Sequence, residues 1–289
     1  MLGAIYGDMV GSRFEFKGFK SKNFEMFTNS CHFTDDTLMT LAIAKALLWW
    51  DKSDIEDLKR KAIISMVDIY NKYPNTMWGY NFYHWLTVSR VPNNSCGNGA
   101  GMRVSPVGWY AISLDEAKQL AEAVTVVSHN HPEAVKGAQA IACAIYLARI
   151  GTSKEIIKEY IGNNFYPEIL TMDFKKLQDS YGYVYSNEVD GFDSKYLTCQ
   201  YSVPQAIMAF LASISFDDAI RNAISLGGDS DTLACMCGSI AEAYYGLTLK
   251  EENEVLSRLP DDLAGICYGF ETIKKPKINI GIHTRKQVL

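Results

Sequence analysis

The sequence predicts an all-α protein, and three observations lead there. Apolar residues recur at helical spacing in long blocks, strand-like alternation is almost absent, and glycine and asparagine gather in short connectors such as "VPNNSCGNGAG" and "SLGG". At 289 residues and 48% hydrophobic content the chain can bury one sizeable core and is too short to force a split, so a single domain over 1–289 is expected.

The elements follow in chain order. The apolar opening "MLGAIYGDMVGSRFEF" lacks the basic flank and long apolar region of a signal peptide. No later run approaches the roughly 20 residues of a membrane-spanning helix, so a cytoplasmic protein with no membrane partner is expected. "DTLMTLAIAKALLWW" is the first helical block. Ser113 before "LDEAKQLAEAVTVV", Pro132 at the head of "PEAVKGAQAIACAIYLARI" and Ser153 before "KEIIKEYI" are start signals. A serine oxygen accepts from free N–H groups of the first turn, and proline has no N–H there to leave unpaired. "SYGYVYSNEVDGFDSKY" (180–196) is the least periodic stretch and reads as an irregular loop able to cover a site. Helical spacing returns in "VPQAIMAFLASI", "FDDAIRNAISL", "DTLACMCGSIAEAYYG" and "DLAGICYGFETI".

Charge and cysteine usage narrow the function. A net charge of -5 with no long Lys/Arg run disfavours a surface that tracks nucleic-acid phosphates or is held to a membrane by charge. Seven cysteines, an odd number with no CxxC pair, read as reduced, mostly buried small hydrophobes rather than disulfides or zinc ligands.

Two acidic stretches stand directly in front of apolar helices: "FTDDTL", with Thr34, Asp35, Asp36 and Thr37, and "GGDSDTL", with Asp229, Asp231 and Thr232. Taken singly, each is an ordinary N-cap, in which Asp or Thr satisfies free N–H groups at the positive end of the helix dipole. A cap needs one side chain, and here there are four carboxylates and several hydroxyls. An EF-hand loop starting at Asp229 would require Gly and Glu where Ala234 and Ile240 stand. A DxDxT phosphatase would require threonine where Leu233 stands, and a strand where "SLGG" precedes. If the two helix starts converge, Asp35, Asp36, Asp229 and Asp231 repel one another unless hard divalent cations lie between them. Two magnesium or manganese ions fit, with the hydroxyls of Thr34 and Thr232 as further oxygen ligands.

Five segments in order, "GAIYGDMVGSRFEF", "FTDDTLMTLAIAKAL", "NNSCGNGAGMRVSPVG", "SHNHPEAVKGA" and "LGGDSDTLACMCGSIAEAYYG", resemble the ADP-ribosylglycohydrolase family, the DraG-like ADP-ribosyl-acceptor hydrolases, over nearly the whole chain. The resemblance implies a compact orthogonal multi-helix bundle with a binuclear Mg2+ or Mn2+ centre at one end. It also implies hydrolysis of an N- or O-glycosidic bond at the anomeric carbon of ADP-ribose. The partner is then an ADP-ribosylated protein or small ADP-ribosyl conjugate, and the enzyme a monomer.

Carried over residue by residue, the resemblance makes Thr34, Asp35, Asp36, Asp229, Asp231 and Thr232 the metal ligands, and Glu15, Asp36 and Asp229 the catalytic carboxylates. Glu15 matches a glutamate on a mobile loop over the metals; its plain alternative is a solvated loop carboxylate. Asp8 in "YGDMVGS" serves either to support the site or as a structural cap. The loop Ser95, Cys96, Gly97, Asn98 and Gly99 resembles the segment that wraps the diphosphate and distal ribose, in keeping with a glycine-rich connector offering N–H groups to an anion; the alternative is a surface turn. Cys96 departs from the family, whose members often carry an aromatic there. His129 and His131 read as a zinc pair, as polar residues at a helix start or, since no further ligands are spaced for zinc, as neighbours of the phosphates, chiefly His131. Tyr201 matches an aromatic that packs on the nucleotide, though a core role is the commoner one. Two other readings remain open. One is a metal-dependent hydrolase of a different phosphorylated nucleoside or sugar; the other is a non-catalytic ADP-ribose binder on the same fold.

Overall fold

The computed structural model describes residues 1–52, 54–181 and 194–277 and is built of helices. In order these are α1 (Leu2–Gly11), α2 (Asp35–Trp49), α3 (Ile55–Lys72), α4 (Tyr80–His84), α5 (Gly99–Met102), α6 (Ser105–Tyr110), α7 (Leu114–Val126) and α8 (Pro132–Arg149). They continue with α9 (Lys154–Asn164), α10 (Phe174–Ser180), α11 (Cys199–Leu211), α12 (Phe216–Ser225), α13 (Ser230–Tyr245), α14 (Leu249–Leu256) and α15 (Asp261–Glu271). No strand occurs among the described residues, where the one isolated bridge pairs Gly97 with Thr198. Of the aperiodic stretch at 180–196, residues 182–193 lie outside the described residues.

The start signals act as expected. Ser113 Oγ accepts from Glu116 N at 3.1 Å and Ser153 Oγ from Ile156 N at 3.4 Å, while Pro132 opens α8. The centre of the bundle is less conventional: α1 is buried along its whole length, and α13 is buried from Ser230 to Ala243. What joins them is a stripe of small residues. Gly3, Gly7 and Gly11 lie four apart, one turn each, on a single face of α1. A Cβ at Gly7 would fall well inside 3.0 Å of Ala234 O, and one at Gly3 well inside 3.0 Å of Gly238 O. The two backbones therefore touch, and the end of α1 comes to rest on Asp231 at the start of α13. α2, buried from Asp36 to Ala44, runs through the core beside them. All seven cysteines are unpaired, and all but Cys96 are buried.

Candidate functional site

The starts of α2 and α13 meet. Thr34 caps α2, its oxygen accepting from Asp36 N at 3.3 Å, and Thr232 Oγ1 in the first turn of α13 donates to Asp36 Oδ2 at 3.1 Å. One carboxylate oxygen each from Asp8, Asp36 and Asp231 lie within 4.8 Å of one another, and so do oxygens of Glu15, Asp229 and Asp231. The five residues thus form two overlapping groups that share Asp231. Asp35, half-buried, borders the same space.

Asp8 differs from its neighbours in being fully used. Its Oδ1 accepts from Thr34 Oγ1 at 2.7 Å, and its Oδ2 from Thr34 N at 2.9 Å, Thr37 N at 3.1 Å and the Thr37 hydroxyl. Four donors on one buried carboxylate pin the start of α2 to α1, so Asp8 sets the position of the Thr34–Asp36 segment. Asp36 is the opposite case: it is 2% exposed, and its Oδ1 has no partner. An unpartnered buried carboxylate oxygen is costly unless something positive meets it.

Electrostatics point the same way. Burial pushes the carboxyls of Asp35, Asp36 and Asp231 well above the usual range, and neighbouring carboxylates push them further. Burial likewise raises Asp229, despite the amide of Asn98, and lifts Glu15 to about 7, with Asp229 and Asp8 adding to it. Crowded buried carboxylates of this kind are stable together only when protonated or bound to cations. The donors are all hard oxygens, from Asp35, Asp36, Asp229, Asp231, Thr34 and Thr232. That set fits hard divalent cations and not soft ones.

The acidic cluster closes one end of a cavity of about 680 Å³. One side is the loop Ser95–Gly99, all five of whose residues line it. The loop is fixed by Asn98 N donating to Leu197 O at 2.8 Å and by Cys199 N donating to Cys96 O at 2.9 Å. Asn98 Nδ2 donates to Asp229 Oδ2 at 2.6 Å and to Ser202 Oγ at 3.1 Å, coupling the loop directly to the acidic cluster. Trp78, Tyr80 and Phe82 form an aromatic wall, with Met77 beside them, and Arg103 and His129 also line the space. A second, smaller cavity of about 320 Å³ lies beside Thr34, Asp35, Glu15 and Asp231 and is bordered by His32 and Thr76.

Two sequence expectations change. His131 does not line the cavity: it is the N-cap of α8, and its Nδ1 accepts from Glu133 N at 3.1 Å. His129, 6% exposed, takes the inward place, and burial, reinforced by Arg103, holds its pKa well below the ordinary value. Tyr201 is exposed and outside the cavity lining. α11 turns Cys199, Ser202 and Val203 into the core, and two residues on from Cys199 is the outer side of the helix. Arg103 and the aromatic wall are absent from the sequence reading. The wall had a signal, five aromatics within "TMWGYNFYHW"; a buried arginine has none.

The chain has relatives among known proteins. The human ADP-ribosylhydrolase ARH3 is 25% identical over 296 residues, spanning 84% of this chain and 77% of that protein. The ADP-ribosylarginine hydrolase Tri1 of Pseudomonas putida is 25% identical over 317 residues, spanning 93% of this chain and 80% of its own length. A solved chain from an ADP-ribosylglycohydrolase-related protein complex superposes with a TM-score of 0.62 over 95% of this chain and 97% of that one, at 20% identity, and so shares the fold. The family model described as ADP-ribosylglycohydrolase matches residues 1–274, a span that takes in both acidic helix starts, the glycine loop and the His129 segment, and by that match the chain belongs to the ADP-ribosylglycohydrolase family.

Proposed function

We propose that the protein is a metal-dependent hydrolase that cleaves the N- or O-glycosidic bond between the anomeric carbon of ADP-ribose and an acceptor on a protein or small conjugate. The observation that carries this reading is the unpartnered Asp36 Oδ1, set in a convergence of buried carboxylates at the end of a cavity of about 680 Å³. Thr34, Asp35, Asp36, Asp229, Asp231 and Thr232 would hold two divalent cations, magnesium or manganese. When bound, such ions supply Lewis acidity that orients and polarises the sugar hydroxyls and eases deprotonation of water near neutral pH.

The chain's own groups do the rest. The 95–99 loop presents backbone N–H groups to the diphosphate, and Asn98, through its 2.6 Å bond to Asp229, keeps that anchor in register with the reacting end. Asp36 and Asp229 hold the negative charge nearest the sugar as positive charge grows on the anomeric carbon. Glu15 borders both cavities, which suits it to move a proton from the attacking water to the departing acceptor atom. The aromatic wall of Trp78, Tyr80 and Phe82 offers ring faces to the base. In this reading the enzyme acts as a monomer in the cytoplasm, where its unpaired cysteines stay reduced.

The test is a panel of arginine-linked and serine-linked ADP-ribosyl peptides, assayed for released ADP-ribose with Mg2+, with Mn2+ and with chelator. Metal-dependent release from one linkage supports the reading and names the acceptor. No release from any conjugate, with turnover of another phosphorylated nucleoside, replaces it.

A further inference from the structure

Beneath the glycine loop lies a buried relay that the proposed chemistry does not use. Arg103 is 0% exposed, and its Nη2 donates to Ser128 Oγ at 2.8 Å and to Val124 O at 3.2 Å. Ser128, 1% exposed, has its Oγ 2.8 Å from His129 Nδ1. On the far side of the ring, Nε2 faces the loop: a Cβ at Gly97 would lie 3.5 Å from it, and one at Gly99 3.4 Å. Phe82 packs on the imidazole, with ring centroids 5.7 Å apart.

The hydrogen positions follow from what each group can do. A guanidinium only donates, so Ser128 Oγ is an acceptor towards Arg103. The serine's one hydrogen then needs an acceptor of its own, and His129 Nδ1 is at hydrogen-bond distance. The reverse arrangement, with Nδ1–H donating to Ser128, would leave the serine hydrogen unmatched at a buried site, which is costly. A neutral imidazole that accepts at Nδ1 carries its hydrogen on Nε2.

We propose that Arg103 and Ser128 are positioning residues that lock His129 as its Nε2–H tautomer, making the ring an obligatory hydrogen-bond donor at the glycine loop, directed at a phosphate oxygen of the nucleotide diphosphate. The depressed basicity of His129 agrees with this, since a cation has no tautomer to choose. The relay adds Nε2–H to whichever backbone amides of the loop are left over, Asn98 N being bonded to Leu197 O at 2.8 Å and Gly97 N to Ser95 Oγ at 3.2 Å, so that donors prevail at this corner of the cavity. Such a set accepts phosphate oxygens and leaves a ligand that presents a hydroxyl hydrogen there unmatched. The identity of the ligand rests on the proposed function; the tautomer does not.

The experiment is ¹⁵N NMR of histidine-labelled protein, in which His129→Gln identifies the resonance among five histidines. It is paired with calorimetric titration of ADP-ribose into metal-loaded wild type, Ser128→Ala and Ser128→Thr. The wild type is expected to show protonated Nε2 and unprotonated Nδ1. Ser128→Ala should lose that preference and weaken ADP-ribose binding about tenfold, the size of one hydrogen bond to a charged group, while Ser128→Thr, which keeps the hydroxyl, should restore both. A merely structural serine would leave the tautomer unmoved in every variant. A wild-type ring protonated on Nδ1 overturns the proposal whatever ADP-ribose does, and so does a tautomer change in Ser128→Ala with unaltered ADP-ribose affinity. Protonated Nε2 in a wild-type protein that does not bind ADP-ribose refutes the proposed function and upholds the relay.

Discussion

Thr232 and Asp36, 196 residues apart, are joined by a 3.1 Å hydrogen bond that ties the first turn of α13 to the first turn of α2. The bond leaves Asp36 with one oxygen occupied and the other free and buried. Asp231, on the same turn as Thr232, belongs to both carboxylate groups, so it stands where two cations would share a ligand.

Asp231→Asn should therefore weaken metal binding and lower turnover at least 100-fold while the fold survives. The amide keeps the size of the side chain and an oxygen towards Thr232 N, which now lies 3.0 Å from Asp231 Oδ1, but loses the charge. Calorimetry with Mg2+ and Mn2+ beside a circular dichroism melt is the check, and wild-type metal affinity with normal turnover would remove Asp231 from the centre.

Glu15→Gln should lower kcat on the order of 100-fold and change ADP-ribose affinity little, because the amide can neither give nor take the proton the reaction moves. The carboxyl sits just after the short helical turn Ser12–Phe14 that follows α1, bordering both cavities. A solvated loop carboxylate would give no change in either quantity. Lost activity that excess Mn2+ restores would instead make Glu15 a metal ligand.

Removing metal should expose the repulsion among these carboxylates, and the sign can be worked out. A carboxyl whose folded pKa lies above its unfolded value binds more protons when folded, so its contribution to stability falls as pH rises from the ordinary carboxylate range through the folded value. Asp35, Asp36, Asp229 and Asp231 are all raised, and Glu15 reaches about 7. Chelated protein should melt lower at pH 8 than at pH 6, and added Mn2+ should raise Tm more at pH 8, where fewer protons have to be displaced. Scanning calorimetry at the two pH values decides; an equal Mn2+ gain at pH 6 and pH 8 would show that these groups are already ionised in the chelated protein.

What could be read from the chain depended on how local the signal was. α2 and α13 begin with Asp and Thr residues of capping type followed by apolar runs, so Thr34–Asp36 and Asp229–Thr232 could be placed at helix starts before their meeting was visible; Thr34 does cap α2, whereas the Asp229 side chain makes no cap bond to α13. α1 could not be picked out, because a helix buried on every side shows no contrast between faces and its three glycines weaken the helical pattern. α3 was legible in principle, with Asp54 capping it and a clear apolar face, yet it is not among the blocks singled out from the sequence. "SHNHP" offers two histidines, and only the path of the chain into α8 decides that His131 caps and His129 turns inward. Arg103 was invisible for a similar reason: nothing local distinguishes an arginine buried under a loop from one in solvent.

The contact of α1 with α13 makes the last prediction, and it has a control of opposite sign. At Gly7 a methyl group would collide with the Ala234 carbonyl, which belongs to the backbone of a buried helix and has nowhere to move. Gly7→Ala should thus cost about 3 kcal/mol, the upper part of the range for overpacking. Because α1 also carries Asp8, which holds the start of α2, forcing α1 away from α13 should pull Asp36 out of register with Asp231 and reduce metal affinity as well. Gly265, inside α15, meets nothing within 4 Å of an added Cβ, so Gly265→Ala should stabilise by roughly 0.5–1 kcal/mol by restricting the unfolded chain and favouring the helix. Urea denaturation of both variants at fixed metal concentration measures the pair. Equal and small effects would mean that the two backbones are not in contact, and that the carboxylates are brought together by something other than the glycine face of α1.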